Sequence, residues 1–234
     1  MLSKQETSTI FTSYLDDLNE KQIDLLYRYY ELIEQKNKVM NLTGFTDEKL
    51  VIEGIIESIL VLNEAFKLEE NKKYKLVDIG AGAGFPSVPF FLVHHEQIEL
   101  TIIEPLKKRC AFLQEVAQDL KLTINITNQR AEDVKFHEYF DLVTARAVMD
   151  LKKLIEVSCQ LGKLNSQQVF VKGQNVEKEI LESKNIVDKL GLKIENKVFN
   201  TKNIRKNNLV SVIKTHSIDK KFPRKWQEII KDKN

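Results

Sequence analysis

Val77-Asp78-Ile79-Gly80-Ala81-Gly82-Ala83-Gly84-Phe85-Pro86 is the stretch whose reading decides the fold. A β-branched run, Lys75 to Ile79, leads directly into three glycines at alternate positions. Alternating glycines let the main chain turn sharply and let a ligand come close to the backbone. Pro86 suits a first helical turn, where its missing N–H is not needed. A strand, a glycine turn and a helix in that order open a parallel α/β sheet, in which ligands collect at the carboxyl ends of the strands.

Downstream, the same alternation continues. Strands are predicted at Leu100 to Ile103, Thr123 to Thr127, Asp141 to Thr144 and Gln168 to Val171. Amphipathic helices are predicted around Lys107 to Leu120, Leu151 to Leu161 and Val176 to Leu190. This pattern implies a mostly parallel sheet with helices on both faces. Leu192 to Phe199 and Asn208 to Thr215 read as two last strands. The link between them is too short for a crossover helix, so they are expected to pair antiparallel at the sheet edge. Upstream, Ile23, Leu26, Tyr27, Tyr30 and Ile33 recur at helical spacing, as do Ile52, Ile55, Ile56, Ile59 and Leu60. Gly44 is expected to stop the first of these helices. The fold class is α/β. Residues 1–70 form an N-terminal helical extension packed on the main domain, 71–216 the sheet domain and 217–234 a basic C-terminal tail.

The 234 residues are 42% apolar and 30% charged, which excludes a disordered or fibrous chain. Net charge is only +2, but it is unevenly placed. From Lys202 to Asn234 there are ten basic residues against three acidic ones, a net of +7 that leaves −5 on residues 1–201. Such a stretch reads either as a solvated face or as a footprint for a polyanion. Cys110 and Cys159 fit no metal knuckle or disulfide framework, and the four histidines share no ligand spacing with them, so no metal is expected. With no apolar leader and no run of 18 apolar residues, the chain is expected to be soluble and cytoplasmic, without a membrane partner.

Spacing narrows the ligand. The dinucleotide pattern G-x-G-x-x-G would need a small residue where Phe85 or Ser87 stands, and no G-x-x-x-x-G-K-[ST] occurs. What remains is Asp78 two positions before Gly80, with Gly82 and Gly84 following, and a second acid, Glu104, at the end of the next strand. A carboxylate there can accept hydrogen bonds from both ribose hydroxyls, and a loop with no phosphate to cradle suits a nucleoside carrying an amino acid. S-adenosylmethionine answers that description.

Seven motifs in register along nearly the whole chain carry a more specific resemblance. They are Asn41-Leu42-Thr43, Asp78 to Pro86 with Pro89, Glu104 to Arg109 with Phe112-Leu113, Arg130-Ala131-Glu132, Asp141 to Ala147, Lys172-Gly173 and Phe222-Pro223-Arg224-Lys225. Together they resemble the bacterial 16S rRNA guanine-N7 methyltransferases of the RsmG family, also called glucose-inhibited division protein B. The resemblance implies the Rossmann-like sheet of a class I S-adenosylmethionine-dependent methyltransferase, S-adenosylmethionine as donor and, as substrate, the guanine at about position 527 of 16S rRNA, presented as RNA or as the small ribosomal subunit. Carried onto this chain, the family's cofactor contacts fall on Gly80, Phe85, Ala131, Glu132 and Arg146. The chain departs from the family at Lys36, Gly54 and Glu57, and after Lys225, where Trp226 begins a different tail.

Guanine N7 carries an in-plane lone pair and no proton, so its methylation needs no general base. The chain also lacks an Asn-Pro-Pro-Tyr segment after the fourth strand, suited to exocyclic amines, and a Pro-Cys nucleophile for pyrimidine carbon-5. Arg146 is the candidate for placing the guanine or the methionine end. Arg205, Lys206, Lys220, Lys221, Arg224 and Lys225 are the candidates for holding RNA phosphates, with Phe222 and Trp226 able to stack on a base or to anchor the tail. The alternatives are a same-fold methyltransferase acting on a small molecule or a protein, and a non-catalytic RNA- or ribosome-binding domain.

Overall fold

A computed structural model describes residues 1–201 and 205–232. Residues 202–204 of the expected link between the last two strands, and Lys233 and Asn234 of the basic stretch, lie outside the described residues. Seven strands form one sheet: β1 (Tyr74–Ile79), β2 (Ile98–Ile103), β3 (Asn125–Thr127), β4 (Phe140–Arg146), β5 (Gly162–Lys172), β6 (Lys193–Thr201) and β7 (Arg205–Ile213), in the order β3-β2-β1-β4-β5-β7-β6. The first five are parallel. β7 runs antiparallel between β5 and β6, so the antiparallel strand lies one place in from the edge and β6 is outermost. The order reverses between β1 and β4, the crevice where open sheets of this kind bind ligands.

Successive strand residues point to opposite faces, and the core divides accordingly. Leu76, Leu142, Val169 and Val171 join one cluster with α1 (Lys4–Tyr14), α2 (Glu20–Asn37), α4 (Glu57–Ala65), α5 (Ser87–His94) and α6 (Lys107–Asp119). Val77, Val143, Phe170 and Val210 join the other with α7 (Leu151–Ser158), α8 (Val176–Leu190) and the tail helix α9 (Trp226–Ile229). The helices of the first 65 residues thus bury themselves in the same cluster as β1 and α5.

Two local features depart from expectation. α2 ends at Asn37, well before Gly44, because the Asn37 side chain accepts the N–H groups of Leu42 and Thr43 and donates to the Phe45 carbonyl, making the turn itself. The next helical stretch starts with a single short turn, α3 (Asp47–Lys49), and then widens into a π-helix over Leu50–Ile56 before α4, with the Glu57 amide bonded to the Ile52 carbonyl. Apolar spacing predicts helix there but cannot tell a π turn from an α turn.

Candidate active site

The glycine loop leaves the end of β1 and meets α5 at Pro86, which caps that helix one position ahead of its first residue. The Gly80 amide bonds to the Ile103 carbonyl, tying the loop to the end of β2. Gly82 has φ +62°, and only the Arg109 guanidinium lies within 4 Å of where a Cβ would stand, so the backbone here is open to a ligand. Gly84 is different. At φ +112°, a Cβ on it would sit 2.5 Å from the Tyr29 hydroxyl and 2.7 Å from Val88. No side chain fits beneath that turn.

Glu104 sits at the end of β2, almost wholly buried, and its two carboxylate oxygens accept from the Gly82 amide (3.1 Å) and the Leu106 amide (3.0 Å). The Arg109 guanidinium lies 3.9 Å from it. Each oxygen keeps further acceptor capacity, as two ribose hydroxyls would require. Asp78 is fully buried, accepts from the Ser87 amide at 3.3 Å and has a second oxygen with no partner among the described residues. Burial, reinforced by the nearby Glu104 charge, pushes its carboxyl up to about 7, against the pull of the Ser87 hydrogen bonds. Phe85 packs edge-on to Tyr29, and Ala131 and Glu132 occupy the short 3₁₀ turn after β3. Glu132 is raised from its ordinary value, chiefly by burial.

Tyr29 is not among the residues that the helical spacing of this segment singles out. Its hydroxyl, carried in by α2, donates to the Ala83 carbonyl at 2.7 Å and is completely buried against the loop. The spacing Leu26, Tyr30, Ile33 marks an inward face, but nothing in it says that the face ends on the glycine turn.

On the other side of the crevice, Val148 presses on Gly80, with its methyl 2.8 Å from a would-be Cβ, so the loop after β4 closes on the glycine loop. Arg146, two residues before, donates to Glu57 Oε2 (2.6 Å), Ser58 Oγ (3.2 Å) and the Glu53 carbonyl (3.2 Å). These use three of its five N–H donors among the described residues. Burial lowers its affinity for the proton from the ordinary value, and Glu57 opposes that. Beside it lies a cavity of about 410 Å³ between the ends of β4 and β5 and the start of β7, lined by Arg146, Lys172, Gly173, Arg205, Lys206 and Asn207.

The six candidate phosphate contacts fall in different places. Arg205 and Lys206 border this cavity. Arg224 is committed elsewhere: it grips Glu156 through Nε and Nη2 (both 2.7 Å) and reaches Asp232 at 2.6 Å. Lys220 and Lys221 are exposed in the segment where Gln160, just ahead of β5, bonds the Ile218, Asp219 and Phe222 carbonyls. That is the end of the sheet opposite the glycine loop. Lys225 is exposed at the start of α9. Phe222 is buried in the α7 and α8 cluster, so it anchors the tail and does not stack on a base. Trp226 is partly buried, with the Arg130 guanidinium 5.1 Å over its ring. Cys110 and Cys159 are buried free thiols, and no group of three or more potential metal ligands occurs among the described residues.

Residues 22–210 match the family described as rRNA small subunit methyltransferase G. The chain belongs to that family. The rRNA small subunit methyltransferase G proteins similar to it include that of Mycoplasmopsis pulmonis (strain UAB CTIP), 40% identical over 223 residues, 92% of this chain and 95% of that one. That of Streptococcus pneumoniae (strain JJA) is 35% identical over 215 residues, covering 89% and 90%. Among solved structures, M. jannaschii TYW2 in complex with AdoMet aligns with a TM-score of 0.53 at 17% identity over 68% of this chain and 77% of its own. A SAM-dependent methyltransferase from Aquifex aeolicus aligns at 0.50 and 15%, over 80% and 97%. At those identities the likeness is one of fold. As a member of the rRNA small subunit methyltransferase G family, the chain is an S-adenosylmethionine-dependent rRNA methyltransferase, as the sequence reading expects.

Proposed function

We propose that the chain methylates N7 of the guanine at about position 527 of 16S rRNA in the small ribosomal subunit, in the cytoplasm. The observation that carries this reading is the juxtaposition of an open glycine loop, with Glu104 at its side, and a cationic cavity walled by Arg146, joined where Val148 meets Gly80. The residues present fit the donor. The backbone at Gly82 is accessible, Glu104 has acceptor capacity for two hydroxyls, and Ala131 and Glu132, in the turn after β3, would be further contacts to the donor. When bound, S-adenosylmethionine supplies an electrophilic sulfonium methyl, which the N7 lone pair takes as the carbon–sulfur bond breaks toward sulfur.

No proton moves in that displacement, so the chain's work is orientation. Gly80, Gly82, Gly84, Phe85 and Asp78 shape the donor side. Arg146 has N–H donors left, for the guanine O6 or for the methionine carboxylate. Arg205 and Lys206 are placed for a phosphate beside the target nucleotide. Labelled methyl transfer to small subunits from cells lacking this protein, mapped by N7-sensitive strand cleavage, tests the reading. One modified guanine near position 527 is the expected result. Donor binding without transfer to these particles would overturn the substrate assignment.

A further inference from the structure

Glu57 is fully buried and lies outside the glycine loop, yet it carries more polar contacts than any cofactor-side carboxylate. Its Oε1 accepts from Arg205 Nε (2.6 Å) and Asn207 Nδ2 (2.7 Å), and its Oε2 from Arg146 Nη2 (2.6 Å) and Arg205 Nη2 (2.9 Å). Two cations from separate strands, β4 and β7, thus converge on one anion delivered by α4. Without it the two guanidiniums would lose their shared counter-ion and repel, with the Glu53 carboxylate, 3.9 Å from Arg205, left to offset them. The anion is itself held by the wide turn before α4, where its amide reaches back to Ile52 and the Glu53 carbonyl faces Arg146.

We propose that Glu57 is a positioning residue for methyl transfer: it fixes the Arg146 guanidinium, with Arg205 beside it, at the wall of the cavity that receives the base. The proposal rests on the reading of Arg146 given above. A carboxylate that only stitched α4 to the sheet would affect stability and leave turnover per folded molecule unchanged. One that orients Arg146 toward the base changes turnover while the donor, held by the glycine loop and Glu104, still binds; a donor Kd that rises in step with the loss of kcat would mean that Arg146 serves the donor, and would overturn the proposal.

Glu57→Gln removes the charge with little change of shape, and Glu57→Asp keeps the charge but draws it back by one methylene. Both are made in the full chain and assayed on small subunits lacking the mark, with donor affinity measured by calorimetry. Glu57→Gln is expected to lower kcat tenfold or more and to leave the donor Kd within threefold, with Glu57→Asp falling between it and the unaltered chain. In an Arg146→Ala background, Glu57→Gln should slow the reaction by less than twofold further, because its route of action is gone. Unaltered kcat in a donor-binding Glu57→Gln variant, or losses that multiply in the double variant, would overturn the proposal. Should Glu57→Gln fail to fold, Glu57→Asp decides, with a threefold or greater loss of kcat supporting the proposal and none refuting it. Arg146→Ala at full activity would instead remove Arg146 from the site, a failure of the underlying reading that is visible by itself.

Discussion

Asp78 ends β1 with one carboxylate oxygen on the Ser87 amide and the other without a partner among the described residues. Unfolded, it ionises near the ordinary aspartate value of 3.8; folded, burial holds the proton until about pH 7. The native state therefore binds more protons in that window, and this group's contribution to stability is present below about pH 4 and lost as pH rises to about 7. Asp78→Asn should accordingly gain in melting temperature relative to the unaltered chain between about pH 4 and 7, with a constant difference above. A difference that does not vary with pH would mean that the carboxyl is not perturbed. Arg146→Ala should lower methylation tenfold or more, roughly 1.4 kcal/mol or more of transition-state stabilisation. The fold is expected to survive, since Glu57 keeps Arg205 and Asn207; an unchanged rate would exclude a role at the site. Tyr29→Phe deletes one buried hydrogen bond to the loop and should cost about 1–2 kcal/mol in denaturant unfolding, together with weaker donor binding in calorimetry. The glycine turn at Gly82 and Gly84 and the place of Glu104 at the end of β2 are legible in the sequence, because they follow from local spacing. Tyr29 and Glu57 are not, because their partners lie 54 and 89 or more residues away.

Elements are more legible than their joints. α8 spans Val176–Leu190 as its apolar spacing indicates, and β1 to β4 follow the β-branched runs, whereas β5 begins at Gly162, six residues ahead of the expected Gln168, through a stretch with no β-branched residue. The wide turn at Leu50–Ile56 and the early stop of α2 come from side-chain and backbone hydrogen bonds that periodicity does not encode. The tail shows the same limit. Phe222 belongs by composition to a basic segment but by packing to the core beside α7, and Gln160 holds three carbonyls of that segment. Phe222→Ala should therefore destabilise the chain by about 3 kcal/mol in denaturant unfolding. A change under about 1 kcal/mol would show that the side chain does not fill the core.

At the scale of the molecule, the basic residues of the last strand and tail are spread from one end of the sheet to the other, which their clustering in sequence conceals. Lys206 stands at the cavity and Lys220 and Lys221 at the far end. Removing Lys206 should lower the slope of log affinity for rRNA against log salt by about one. The paired change Lys220→Ala and Lys221→Ala should leave it nearly unaltered if the RNA lies across the carboxyl ends of the strands; an equal loss would mean that the RNA wraps the opposite end as well. The sheet's strand order has a further consequence for biosynthesis. β7, the last strand made, is threaded between β5 and β6 and supplies Arg205 and Asn207 to a carboxylate that left the ribosome about 150 residues earlier. A nascent chain therefore lacks this wall of the cavity until β7 has emerged, and on the function proposed above its first methyl transfer waits for that point.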